Sequence, residues 1–317
     1  MLPSYVGQGC SSSKVLRRSA GRERFPSLVA HIHHHLPLSE EPMPPDYELQ
    51  SYWNTRFENE YHFEWLGDGS DTILPHIRSY LSQSLASDRC SSFHPCRLLH
   101  IGAGTSSLAE RIRELYRDIY GDAANEQAIV HTDFAENLVA RMQERESSLA
   151  KGVPGKGMLW ICVDAMKWKD LRTALGFGTE GGMDTYDLVV DKSTSDAISC
   201  REDVVYSSED SVLHPAFRGY LAEHAGRTIT LAPVEVLAIH LASLVKPGGL
   251  WVALTFSPNR FAFLSSLEAA QSISPRACHY WAVEEIRTID APTGMEGSGY
   301  APIVQHYVFL LRRKESH

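Results

Sequence analysis

Nowhere in the 317 residues does an uninterrupted apolar run approach the roughly 20 needed for a membrane-spanning helix. The nearest candidate, residues 231–245, is broken by Glu235 and His240, which argues against such a span. Cys-x-x-Cys pairs are also missing. The six cysteines (Cys10, Cys90, Cys96, Cys162, Cys200 and Cys278) are scattered, which reads as a reducing compartment rather than a disulfide scaffold. Nor is there an excess of positive charge. A net charge of −9 with histidine neutral argues against nucleic acid or an anionic membrane as partner, since both call for a basic field. What is present is ordinary for a globular chain, 43% apolar and 22% charged residues, at a length that suits one large domain or two small ones.

Acidic residues are scarce at the start. Up to Leu38 there are five basic residues and a single acid, Glu23, followed by Pro42, Pro44 and Pro45. Residues 1–45 are therefore expected to be a disordered tail and linker. The alternative is a mitochondrial presequence, which is typically basic, serine-rich and acid-poor. Location is accordingly expected to be cytoplasmic, with mitochondrial as the alternative. No cysteine or carboxylate lies among His31, His33, His34 and His35, and the rest of the chain lacks a His/Cys cluster with ligand spacing, so no metal site is expected.

From Asp46 the pattern changes. Apolar, β-rich runs at residues 97–101, 129–132, 159–163, 186–190 and 250–256 alternate with helical segments at about 106–120, 134–149 and 233–245. Two more alternating runs follow at 279–289 and 305–311. Strands alternating with helices predict a parallel sheet covered on both faces, with its ligand beyond the carboxyl ends of the strands. Those ends carry Gly102, Asp133, Asp164 and Asp191.

Each of these is a weak signal alone. Gly102-Ala103-Gly104 is a tight turn into a helix, but Ser107 stands where a dinucleotide site wants its third glycine. A pyrophosphate needs that close helix approach; a ligand without phosphates does not. Asp133 either accepts two ribose hydroxyls or caps a helix. Asp164, followed by Ala165, either accepts from an adenine amino group or caps a turn. Asp191 opens a polar run that reaches Asp196, and residues 245–250 (VKPGGL) punctuate the way into the fifth strand.

In this order the pieces resemble the class I S-adenosylmethionine-dependent methyltransferases. The resemblance implies an α/β fold over residues 46–317: a seven-stranded, mostly parallel Rossmann-like sheet with helices on both faces. Its antiparallel last strand would be 305–311, inserted beside 250–256. Residues 51–57 (SYWNTRF) and 63–67 (FEWLG) look like the opening motif of a eukaryotic subgroup, and 191–198 (DKSTSDAI) like its "(E/D)KGTLDAL" signature. That subgroup includes lysine methyltransferases of translation elongation factor 1-alpha and a mitochondrial relative acting on citrate synthase.

Carried over, the resemblance implies that Trp53, Phe57 and Phe63 line the cofactor site, with core packing as their alternative. Gly102 and Gly104 would approach the amino-acid part of S-adenosylmethionine, and Asp133 the ribose. Asp164 and Ala165 would flank the adenine, and Asp191 the methionine moiety and substrate entrance. Phe57 and Phe63 replace tyrosines, Asp191 a glutamate, Ser193 a glycine and Ser195 a leucine. An insert at about 199–230, acidic over 201–210 and helical near 215–224, is expected as a solvated loop or as a recognition element suited to a lysine-bearing partner. The expected activity is methylation of a protein lysine, with Asp191 and Asp196 orienting the amine. The alternatives are a small-molecule methyltransferase and a cofactor-binding, non-catalytic partner protein.

Overall fold

Four short runs form neighbouring parallel strands: the inner three are almost wholly buried and scarcely meet water, while the edge strand leaves Leu159 and Cys162 exposed. They are β1 (Leu98–Ile101), β2 (Ile129–Asp133), β3 (Leu159–Cys162) and β4 (Tyr186–Lys192). The structure is a computed structural model describing residues 46–91, 94–122, 124–175, 185–291 and 304–315; the expectations for residues 1–45 lie outside these. Beyond β4 come a small antiparallel pair, β5 (Val204–Tyr206) and β6 (Ile229–Leu231), and then three long strands, β7 (Val245–Thr255), β8 (Trp281–Asp290) and β9 (Gln305–Arg313).

The main sheet runs β3-β2-β1-β4-β7-β9-β8. β1, β2, β3, β4 and β7 pair in parallel, while β9 lies antiparallel between β7 and β8. This is the seven-stranded, mostly parallel sheet that the sequence predicts, with its antiparallel strand beside β7. The order reverses between β1 and β4, so the crevice for a ligand opens at their carboxyl ends.

Alternate residues of each strand feed two cores. Leu99, Val189, Trp251 and Phe309 face one side; Leu98, Leu188, Val252 and Val308 face the other. The second side is covered by α2 (Leu74–Ala86) and α3 (Leu108–Tyr120) and by part of α4 (Glu136–Ala150), reached after α1 (Gln50–Asn59). The first side is covered by α5 (Trp168–Ala174), α7 (Pro215–Glu223) and α8 (Pro233–Ala242), with the short α6 (Thr194–Ile198) between β4 and β5. All ten residues of α8 are buried. Its one acid, Glu235, is tolerated there because Arg276 donates to it at 2.8 Å and the Ala277 N–H at 3.2 Å. His100 and His131 lie side by side in β1 and β2. Burial holds both well below the usual imidazole pKa, His100 at about 3, so this pair stays neutral.

Two readings change. Cys90 and Cys96, six residues apart, form a disulfide ahead of β1 with their Cα atoms 5.5 Å apart. The absence of Cys-x-x-Cys therefore did not mean the absence of a disulfide. The helix expected to run to residue 245 stops at Ala242, and Val245 already pairs with Tyr186 in the sheet. Within the insert, the polar stretch supplies β5, which pairs with β6, while Phe217 and Leu221 of α7 are buried.

Candidate functional site

The turn after β1 sets the site. Gly102 and Gly104 both take positive φ, +54° and +57°, a region that side chains disfavour. A Cβ on Gly102 would lie 2.2 Å from the Thr194 hydroxyl, which donates across the crevice to Ile101 O at 2.9 Å and so joins the ends of β1 and β4. On Gly104 the nearest atom to a Cβ would be the rim of Phe57 at 3.9 Å. One glycine is thus required by the protein's own packing, and the other leaves backbone open to a ligand.

Asp133 closes β2 beside this turn. Its Oδ2 accepts the Gly104 N–H at 3.0 Å and its Oδ1 the Ala135 N–H at 2.9 Å. Burial raises its pKa, and the backbone hydrogen bonds pull the other way. Each oxygen keeps a lone pair, so the fixed carboxylate suits a pair of hydroxyl donors. Asp164 accepts from the Met166 N–H at 3.0 Å, and Arg201 of the insert approaches it at 3.8 Å. Ala165 packs against the core and its carbonyl lies 3.0 Å from His240 Nδ1.

Asp191 sits inside β4 and is fully buried. Its Oδ1 accepts the N–H groups of Thr194 and Ser195 at 2.9 and 3.2 Å, capping α6, while its Oδ2 has no well-aligned hydrogen-bond partner among the described residues. Burial pushes this carboxyl up to about 7, against the pull of the Ser195 and Thr194 hydrogen bonds and with the charge of Asp196 adding to it. Asp196 is committed elsewhere. Its Oδ1 accepts from Arg260 Nε and Nη2 at 3.0 and 2.7 Å and from the Thr255 hydroxyl, and its Oδ2 from the Phe256 N–H at 3.2 Å.

The aromatic trio divides. Phe57 of α1 is buried against the start of α4, beside Ala135 and Leu138, with Trp53 packed against it. Phe63 is 39% exposed, its ring 5.1 Å from that of Trp65.

Glu64 is the residue that pattern reading missed. It receives the Ser107 N–H at 2.7 Å, the Ser106 and Ser107 hydroxyls at 2.6 Å each, and Lys192 Nζ at 2.8 Å. Despite burial, these donors hold its carboxyl down at about 2. Lys192 also donates to Gly67 O at 2.7 Å, and burial lowers its own pKa while Glu64 raises it. The available signal was a carboxylate in FEWLG and two serines in GAGTSS. Physically, Glu64 fills the amino end of α3, where a dinucleotide site would seat its phosphates. The chain's own negative charge stands there instead. That arrangement rejects a pyrophosphate and fits a nucleoside ligand without one, as S-adenosylmethionine is.

The chain is similar in sequence to a known methyltransferase. The chain is 30% identical over 277 residues to methyltransferase srdJ of Neurospora crassa, across 87% of this chain and 88% of that protein. No protein-family model matches it. Among solved structures it is similar to N-methyltransferase NodS of Bradyrhizobium japonicum in complex with S-adenosyl-L-homocysteine, at 13% identity, 86% and 100% coverage and TM-score 0.39. It is also similar to magnesium protoporphyrin IX methyltransferase ChlM of Synechocystis with bound SAM, at 11% identity, 86% and 98% coverage and TM-score 0.41.

Proposed function

The chain belongs to the class I S-adenosylmethionine-dependent methyltransferases, and from that premise we propose that its methyl acceptor is a small molecule rather than a protein lysine. The observation that carries the choice is Asp196. A lysine ammonium has to be oriented and deprotonated, since its ordinary pKa is about 10.4. Of the two acids expected to face it, Asp196 is held by Arg260, Thr255 and Phe256, and Asp191 is buried within β4. An acceptor that arrives with a free lone pair does not first have to shed an ammonium proton; any proton on the attacking atom leaves with or after the methyl transfer.

S-adenosylmethionine supplies the electrophilic methyl group. The protein's part is to align. Asp133 takes the ribose hydroxyls, Gly104 lets the backbone meet the amino-acid end, and Asp164 with Ala165 borders the adenine. Phe57 and Trp53 wall the same side, while Thr194 and Glu64 fix the turn. Asp191 and Asp196 act as positioning residues, one capping α6 and the other tying that helix to the end of β7.

Protein lysine remains the second reading, favoured by the exposed acids Glu202, Asp203, Glu209 and Asp210 on the insert. Incubating the purified chain with radiolabelled S-adenosylmethionine and a cell extract separates the two. Label in the solvent-extractable fraction is the expected result; label confined to a protein band would overturn the small-molecule reading.

A further inference from the structure

The insert reaches the cofactor crevice through a side chain that the functional reading leaves unused. Arg201 stands three residues past the end of α6, where the insert begins. Its Nη2 donates to Glu48 O, ahead of α1, at 3.0 Å, and its Nη1 lies 3.8 Å from Asp164 Oδ1. Its guanidinium is 5.7 Å from the centroid of the Phe134 ring. Phe134 directly follows Asp133, and Asp164 lies just past β3, the strand that pairs with β2. One fork thus joins the insert to the chain before α1 and to the ends of β2 and β3. The side chains of Arg201 and Asp164 are only 23% and 13% exposed, so water and salt screen this pair less than they would a surface pair.

We propose that Arg201 is a positioning residue for the adenine end of S-adenosylmethionine, acting through Asp164. This rests on the assignment of Asp164 to the adenine made above. Asp164 divides the work between its oxygens. Oδ1 accepts the Met166 N–H at 3.0 Å and faces Arg201, while Oδ2 lies 3.5 Å from Lys167 Nζ, on a side chain that is 68% exposed. Arg201 therefore holds the committed oxygen and leaves the second for an amino donor. The next residue of the same turn is braced as well, since Ala165 O lies 3.0 Å from His240 Nδ1 of α8. His214 of the insert stacks on His240, their ring centroids 5.6 Å apart. The insert thus supports the turn at two points, directly through Arg201 and at one remove through His214. Packing alone gives a poor account of Arg201. Its Nε is buried without a hydrogen-bond partner among the described residues, and a guanidinium with no task there would extend into solvent rather than bury an unpaired donor.

The test is a double-mutant cycle, read by calorimetric titration of the full chain with S-adenosyl-L-homocysteine. Arg201→Ala should weaken binding about tenfold, and the same change in an Asp164→Ala background should weaken it no further. Arg201→Lys, which keeps the charge beside Asp164, should bind more tightly than Arg201→Gln, which keeps a donor for Glu48 O. Should Arg201→Ala fail to fold, that comparison decides. An Arg201 that served the fold alone would lower the melting temperature and add its loss to that of Asp164→Ala. Additive losses, unchanged binding by Arg201→Ala, or a glutamine that serves as well as lysine would each overturn the proposal while leaving the adenine assignment in place. Undiminished binding by Asp164→Ala alone would remove that assignment, and the proposal with it. Failure of S-adenosyl-L-homocysteine to bind the unaltered chain would overturn the cofactor reading on which both depend.

Discussion

Asp133 and Ser193 show how much a single position can carry. Asp133 is fixed by two backbone N–H groups before any ligand arrives, so its remaining lone pairs are already aimed. Two charge-assisted hydrogen bonds to ribose are each worth about 1.5–3 kcal/mol. Asp133→Ala should therefore weaken S-adenosylmethionine binding by about 100-fold or more, as read by calorimetry. Retained affinity would remove Asp133 from the ribose. Ser193 adopts φ +66° ahead of α6, and its hydroxyl is buried without a hydrogen-bond partner among the described residues. The signature that this segment resembles has glycine there, and the backbone supplies the reason. Ser193→Gly should raise stability by about 1 kcal/mol, a rise of about 2–4 °C in a thermal melt. A lower melting temperature would contradict the strain argument.

Elements are tied together at Glu64, which joins the segment after α1 to the head of α3 and to the end of β4. Removing one partner of such a pair leaves buried Lys192 uncompensated, so Glu64→Gln should cost about 3 kcal/mol in denaturant unfolding. The pH dependence has a definite sign. Glu64 titrates at about 2 in the fold against about 4.3 in an unfolded chain. Its contribution is fully present above roughly pH 4.3 and is lost as pH falls towards 2. The substituted protein should lose stability less steeply across that acid window; an identical slope would mean that Glu64 is not the group responsible.

The same elements show what could be read beforehand. Each of the first four strands is an apolar run closed by glycine or aspartate, so the strand ends were legible, and with them Gly102, Asp133, Asp164 and Asp191. Glu64 was not, because its partners lie 42 to 128 residues away. Nor was the commitment of Asp196 to Arg260, 64 residues on. Spacing rules describe neighbours on one helix or strand; these contacts are made only when the whole chain has folded. The Cys90–Cys96 bridge escaped for a related reason, since a separation of six matches no thiol motif and depends on how the chain turns before β1.

At the scale of the whole molecule, the sheet order puts the crevice between β1 and β4, and the chain lines it with carboxylates rather than with phosphate-binding amides. Asp133 holds two oxygens in place for a pair of hydroxyl donors, and Glu64 takes the helix terminus that a dinucleotide would claim. The most direct test of this account is calorimetric titration of the purified chain with S-adenosylmethionine and, in parallel, with NADH. Micromolar binding of S-adenosylmethionine and none of NADH is the predicted result. Binding of NADH, or of neither ligand, would contradict it.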